Sequence, residues 1–409
     1  MLDYFLNDTI VLMSETKNHR RQLFFYTITI FTYWASLYFF VPTLSVYAEE
    51  VTHDLSVVGV IISMYGLWQA LARFPLGIIS DSIGRRKPFI IVGLLLGGVG
   101  ALIMMNANSA TGLIIGRGVT GLSAATWVLL MVGFSSLFPP EQAVKAAAMV
   151  NIVNAVGRTL ATGLNGTLNG LGGYSLAFKV AIGASILAAL FFIPVKDPKR
   201  PTRKPNFSAI SRLITRPEVL VPSLLSAIIQ FSAWAAIFGF IPILARQYGA
   251  TDIQLSLMSM LNIVVGVFGN LMISMVVQKI GSKPVLLTGI TLIGISLVFV
   301  ATASSLGFLF VAMIMMGLGG VSTSTLMGLS IRYVREEERS TAMGLHQSIY
   351  GFGMFFGPYL SGFLAEAIGV QELFWVLMAV VVVGGYTGTF IIHRIEEKIS
   401  MNHDPALAE

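Results

Sequence analysis

Three arginines stand inside stretches that are otherwise apolar: Arg73, Arg117 and Arg158. A guanidinium is always charged and offers a planar fork of donors, so its chemistry is the recognition of carboxylates, phosphates or aromatic faces. Inside a membrane-spanning helix such a group is costly to bury and marks a functional site by default. Arg158 belongs to a set, Asn151, Asn154, Arg158, Thr162 and Asn165, spaced three, four, four and three residues apart. At about 100° per residue these side chains fall on one narrow helix face. A helix polar on one stripe turns that stripe to protein or water, so the set is a candidate substrate surface. Interhelical hydrogen-bond glue is the competing reading. Tyr33, Trp34, Trp127 and Trp234 offer flat faces for stacking an organic compound, with packing or an interface belt as the alternative. Gln230, Gln347 and Tyr350 complete the candidate cavity set.

Acid–base chemistry is sparse. The acidic residues within or bordering the apolar stretches are Asp81 and Glu366, both near stretch ends. No carboxylate falls at mid-depth, so neither a cation cage nor a carboxylate proton relay is expected at the substrate site. His346 titrates near neutrality in its ordinary state and, with Asp81, is a proton-coupling candidate. A solvated histidine at a helix end is the competing reading for it. The five histidines are dispersed and the chain has no cysteine, so no metal spacing, disulfide or thiol chemistry is expected. A GxxxxGK[ST] phosphate loop is missing, as is any paired acid and base, and an enzyme is not expected.

The elements that must position these residues are membrane helices. The chain is 55% hydrophobic and 11% charged, against about a quarter charged in soluble domains. A bilayer crossing needs roughly 20 apolar residues. Candidate spans lie at 23–47, 56–80, 88–106, 111–138, 145–169, 175–194, 219–245, 255–277, 284–303, 307–331, 341–368 and 373–393. Arg20, Arg21, Arg85, Arg86, Lys87, Lys145, Lys279, Lys283, Arg332, Arg335 and Arg394 fall on one side of this pattern, with the seven basic residues of the middle stretch. Arg246 and Lys179 are the exceptions. Basic residues collect on the cytoplasmic side, so both termini are expected in the cytoplasm. The net charge of +6 is then a topology signal, and no nucleic-acid partner is expected. The expected partners are the lipid bilayer and a small-molecule substrate. Residues 1–16 hold apolar clusters that would form either a short interfacial helix or nothing ordered.

The chain divides into a cytoplasmic N-terminal segment (1–22), a six-helix bundle (23–195), a cytoplasmic linker rich in proline and basic residues (196–218), a second six-helix bundle (219–393) and a tail (394–409). The halves repeat. Phe40-Val41-Pro42 closes the first span as Phe240-Ile241-Pro242 closes the seventh; Gly121 pairs with Gly317 and Gly157 with Gly353. Parallel repeats of this kind are a transporter signature.

The loop Gly77-Ile78-Ile79-Ser80-Asp81-Ser82-Ile83-Gly84-Arg85-Arg86-Lys87 resembles motif A of the major facilitator superfamily, and Arg117-Gly118-Val119-Thr120-Gly121 is similar to its motif B. The resemblance covers the whole chain in topology and is nearest to the bacterial twelve-helix branch of drug and organic-compound antiporters. It implies an all-α membrane protein of twelve transmembrane helices in two pseudo-symmetric bundles, working as a monomer in the cell membrane. It also implies that Gly77, Asp81, Gly84, Arg85 and Arg86 form a cytoplasmic gate and that Arg117 and Gly121 have a place independent of substrate. A sequence like motif C, Gly353 to Gly362, stands in span eleven rather than span five, where the family carries it. The expected function is secondary transport of a small organic molecule by alternating access, of the efflux type, without a cofactor and with a proton gradient as a coupling candidate. The alternatives are an uptake or exchange carrier for an organic anion and a non-transporting membrane sensor on the same fold.

Overall fold

The computed structural model describes residues 2–139, 142–197 and 207–403. Residues 198–206 of the expected linker lie outside the described residues. Every described element is helical, and ten helical stretches are long and apolar enough to cross a membrane.

The first half comprises α1 (Leu2–Tyr38), a 3-10 turn (Val41–Thr43), α2 (Leu44–Thr52), α3 (Leu55–Ile83), α4 (Lys87–Met105), α5 (Ala110–Ala125), α6 (Trp127–Ser135) and α7 (Ala143–Phe192). After the short α8 (Phe207–Ile214), the second half runs α9 (Pro217–Trp234), a π-helical segment (Ala235–Phe240), α10 (Ile241–Gln247), α11 (Asp252–Ile280), α12 (Ser282–Ala301), α13 (Leu306–Gly319), α14 (Val321–Arg332), α15 (Arg339–Ile368) and α16 (Val370–His403). α15 is not among the ten apolar stretches: its glycines, with His346, Gln347 and Glu366, dilute its hydropathy.

Several expected boundaries move. Pro42 and Pro242 do not end their helices. Each instead sits in the first turn of a new helical segment, where a proline's missing N–H is no loss. Residues 2–16 continue directly into the first span as part of α1. The expected spans four and ten are each broken, at Thr126 and at Gly320. Spans five and six form one element, α7, that leaves helical geometry at Gly172 and Gly173. Gly173 has φ +65°, a conformation that favours glycine. Contacts with α1 show that the chain reverses there. Before the break, Asn165 Nδ2 donates to the Phe39 carbonyl at 2.7 Å, eight residues above the approach of Gly157 to Phe31. Beyond it, Phe178 packs on Phe40 and Phe192 returns to Tyr26.

Close glycine contacts repeat between the halves. A Cβ on Gly121 would fall 2.6 Å from the Tyr65 carbonyl oxygen, and one on Gly317 2.6 Å from that of Asn262. A Cβ on Gly157 would fall 2.6 Å from the Phe31 carbonyl oxygen, and one on Gly353 2.1 Å from that of Ala227. Only a residue without a Cβ lets two helix backbones approach so closely. Between the halves, α3 packs along α15 and α7 along α11. Asp54 caps α3, its carboxylate accepting from Val57 N at 3.1 Å and from the Ser56 hydroxyl. Those two bonds hold it below the usual carboxylate range.

Candidate functional site

A cavity of about 390 Å³ lies between the halves. α3 enters its wall through Tyr65, Gln69 and Arg73, four residues apart on one helix face. α7 presents Asn154 and Arg158, and α1 presents Trp34 and Tyr38. The second half supplies Gln230, Trp234 and Phe238, Asn262 and Asn270 from α11, and Tyr350 from α15. Among the described residues, the wall contains no Asp or Glu.

Aromatic rings dominate the geometry. Trp234 stacks on Tyr65 with centroids 5.3 Å apart at 18°, and Phe238 lies 4.6 Å from Trp234. Trp34 and Trp127 meet edge to face at 5.2 Å. The Arg158 guanidinium sits 4.4 Å over the Tyr38 ring and 5.8 Å from that of Trp34. Arg73, 6% exposed, donates through Nη1 to the Tyr350 hydroxyl at 2.8 Å, a bond between the halves. Arg117 stands outside the wall, 1% exposed, with its charge 4.4 Å over the Tyr65 ring. Cation–π attraction supplies part of what a missing carboxylate would give.

Of the candidate cavity residues, Trp34, Trp127, Asn154, Arg158, Gln230, Trp234 and Tyr350 line the wall. The polar stripe of α7 divides. Asn151 is exposed, while Thr162 and Asn165 are buried beyond the cavity. Asn165 is hydrogen-bond glue: its Oδ1 accepts from Thr43 at 3.1 Å and from Ser256 at 3.3 Å. Tyr33 is fully buried and donates to the Ser123 carbonyl at 2.7 Å, away from the wall. Gln347 is buried outside the wall too. Sequence reasoning passed over Tyr65, Gln69 and Phe238; the four-residue spacing of 65, 69 and 73 was the available signal.

The cavity is closed at the end of the loops near residues 54 and 250, here termed the distal end. Asn169 Nδ2 donates to Thr43 Oγ1 at 3.0 Å and to Asp252 Oδ2 at 2.8 Å, and Asp252 pairs with Arg246. Gly166 N donates to Ser256 Oγ at 2.7 Å, and Leu55 N to Glu366 Oε2 at 3.0 Å. Gly59 and Gly362 bring α3 and α15 together there. At the opposite, basic end the motif loop is bound to itself and to the start of the linker. Asp81 pairs with Arg86 at 3.1 Å, and Arg86 N and Lys87 N donate to Asp197 Oδ2 at 3.1 and 3.0 Å. Gly84, at φ +71°, ends α3 in the left-handed conformation the turn requires. Arg85 is exposed and Gly77 has open space around it.

His346 differs from the solvated helix-end reading. It is fully buried between Ser223 Oγ, 3.0 Å from Nδ1, and Ser226 Oγ, 3.4 Å from Nε2. Its ring ties α15 to α9, because one turn of α9 presents both serines to it. Neither His346 nor Asp81 lines the cavity.

The model of the Major Facilitator Superfamily matches residues 26–243 and 223–404. The chain belongs to this superfamily. This major facilitator protein is 23% identical over 369 residues to an uncharacterized MFS-type transporter of Methanocaldococcus jannaschii, covering 87% of this chain and 94% of the relative. It is 23% identical over 319 residues to the class H tetracycline resistance protein of Pasteurella multocida, covering 75% and 78% of the two chains. Its fold matches a bacterial homolog of the human lysosomal transporter Spinster in an inward-facing, unoccupied conformation, with a TM-score of 0.76, 13% identity and coverage of 92% and 97%. It is thus a multi-pass membrane transporter of the superfamily.

Proposed function

We propose that this transporter is a secondary carrier that moves a small organic molecule across the cell membrane by alternating access, in the export direction, as a monomer. The observation that carries the reading is the cavity itself. Both halves build its wall, and one end is sealed by hydrogen bonds that run from half to half. A site shared by two bundles is exposed to either side when they rock against each other.

The same proposal takes twelve crossings, with α7 contributing two on either side of Gly172–Gly173 and α15 one. The basic end then faces the cytoplasm together with both termini, and the conformation is inward-facing. In that state Asp81 is paired locally. On rocking outward it would be released to α11 or α15 of the other half, which is the gate role of the motif loop. Likeness to a resistance protein supports the outward direction, since a carrier protects by lowering internal concentration.

The experiment is transport by purified protein in proteoliposomes, wild type beside Asp81→Asn. Wild type is expected to accumulate a substrate against its gradient, and the variant to lose most of that flux with an unchanged melting temperature. Full flux in Asp81→Asn would remove the gate, and no flux of any compound by folded wild type would remove the carrier.

A further inference from the structure

Both charged groups in the cavity wall are guanidiniums, and both keep bonding capacity that no protein group uses. Arg73 spends Nη1 on Tyr350, while its buried Nε has no protein partner. Arg158 has one face on Tyr38, and its Nε is likewise without one. Cation–π contact engages only the face of a guanidinium, leaving the in-plane N–H groups for an acceptor. A buried polar group normally finds a partner in protein or water, and in a wall without Asp or Glu among the described residues an acidic group on a ligand can supply it. Asn270 adds a complementary demand: its Nδ2 is committed to the Gly266 carbonyl at 2.8 Å, and its buried Oδ1 awaits a donor. Around these groups the surface is aromatic, and its volume falls within the range of about 300–1,000 Å³ usual for small-molecule sites.

We infer that the substrate is an aromatic organic anion carrying a hydroxyl or N–H group, its acidic end held by Arg158 and Arg73 and its ring lodged among Trp34, Tyr38 and Trp234. This deepens the carrier reading above and rests on it. Both arginines come from the first half, on α7 and α3, so the anion stays with that half as the bundles rock. The aromatic wall of the second half slides past an uncharged ring, whereas the Arg73–Tyr350 bond crosses between the halves and must break or re-form in each cycle.

The test uses three isosteric probes: 6-hydroxy-2-naphthoate, its neutral carboxamide and the corresponding methylammonium. Calorimetric binding to the full chain is measured beside acetate, followed by counterflow of each probe in proteoliposomes. The naphthoate is expected to bind at least tenfold more tightly than the carboxamide and the ammonium. That preference should vanish in Arg158→Gln, return in part in Arg158→Lys, and shrink in Arg73→Gln, with melting temperature reporting the folding of each variant. Equal binding of carboxylate and carboxamide, preference for the ammonium, acetate as tight as naphthoate, or no binding at all would each overturn the anion assignment. Counterflow separates the two claims. Transport of the neutral or cationic probe alone keeps the carrier and removes the anion; Arg158-dependent naphthoate binding, with no flux of any compound by the same folded protein, keeps the anion site and removes the carrier.

Discussion

Arg73 carries more of the site's logic than its place in the sequence advertised. Its hydrogen bond to Tyr350 ties α3 to α15 beyond the cavity from the distal seal. Tyr350→Phe keeps the ring and removes the acceptor, and a hydrogen bond to a charged group is worth about 1.5–3 kcal/mol. The variant should therefore melt several degrees lower than wild type; an unchanged melting temperature would mean that the contact contributes nothing. Periodicity picked out the face of α7 that carries Asn154 and Arg158, and both line the cavity. It could not say where along that face the cavity stops. Asn165 lies seven residues further along, about 10 Å at helical rise, and at that depth the same face meets α11 instead of open space. His346 misled for a related reason: sequence depth placed it near a helix end, but the serines that enclose it sit on α9, more than a hundred residues away. Tyr65 was legible only in retrospect, as the residue eight positions before Arg73.

At the scale of elements, the repeat seen in the sequence is a repeat of packing. Gly157 against Phe31 and Gly353 against Ala227 are the same joint made twice, between α7 and α1 and between α15 and α9. A methyl group placed there meets a backbone carbonyl that cannot swing aside. Gly353→Ala is expected to destabilise the protein by about 1–3 kcal/mol, the usual range for overpacking, whereas Gly183→Ala, with open space around it, should leave stability unchanged. Thermal unfolding of the two variants decides the point, and equal melting temperatures would contradict it. A chain of long apolar helices could be read from hydropathy, but their breaks could not. Pro42 and Pro242 read as stops because proline disrupts a helix interior, yet each opens a new helical turn. The kink at Gly172–Gly173 looked like an ordinary short loop for a different reason: the reversal needs only two residues to leave helical geometry.

For the whole molecule, the proposed carrier turns on one motion. The distal seal joins Thr43, Asn165 and Asn169 of the first half to Asp252 and Ser256 of the second, and the alternating access proposed above requires it to part while the basic end closes. Two loop pairs related by the repeat report the two ends. Asn106 and Thr302 are exposed distally, and Ser82 and Lys279 are exposed at the basic end. The chain contains no cysteine, so paired substitutions to cysteine can carry spin labels without background. The decisive measurement is the distance distribution of each pair in lipid nanodiscs, by double electron–electron resonance. Alternating access predicts two populations per pair with reciprocal weights: conditions that lengthen the 106–302 distance shorten the 82–279 distance. A single unchanging distance at the distal pair, or both pairs lengthening together, would contradict it.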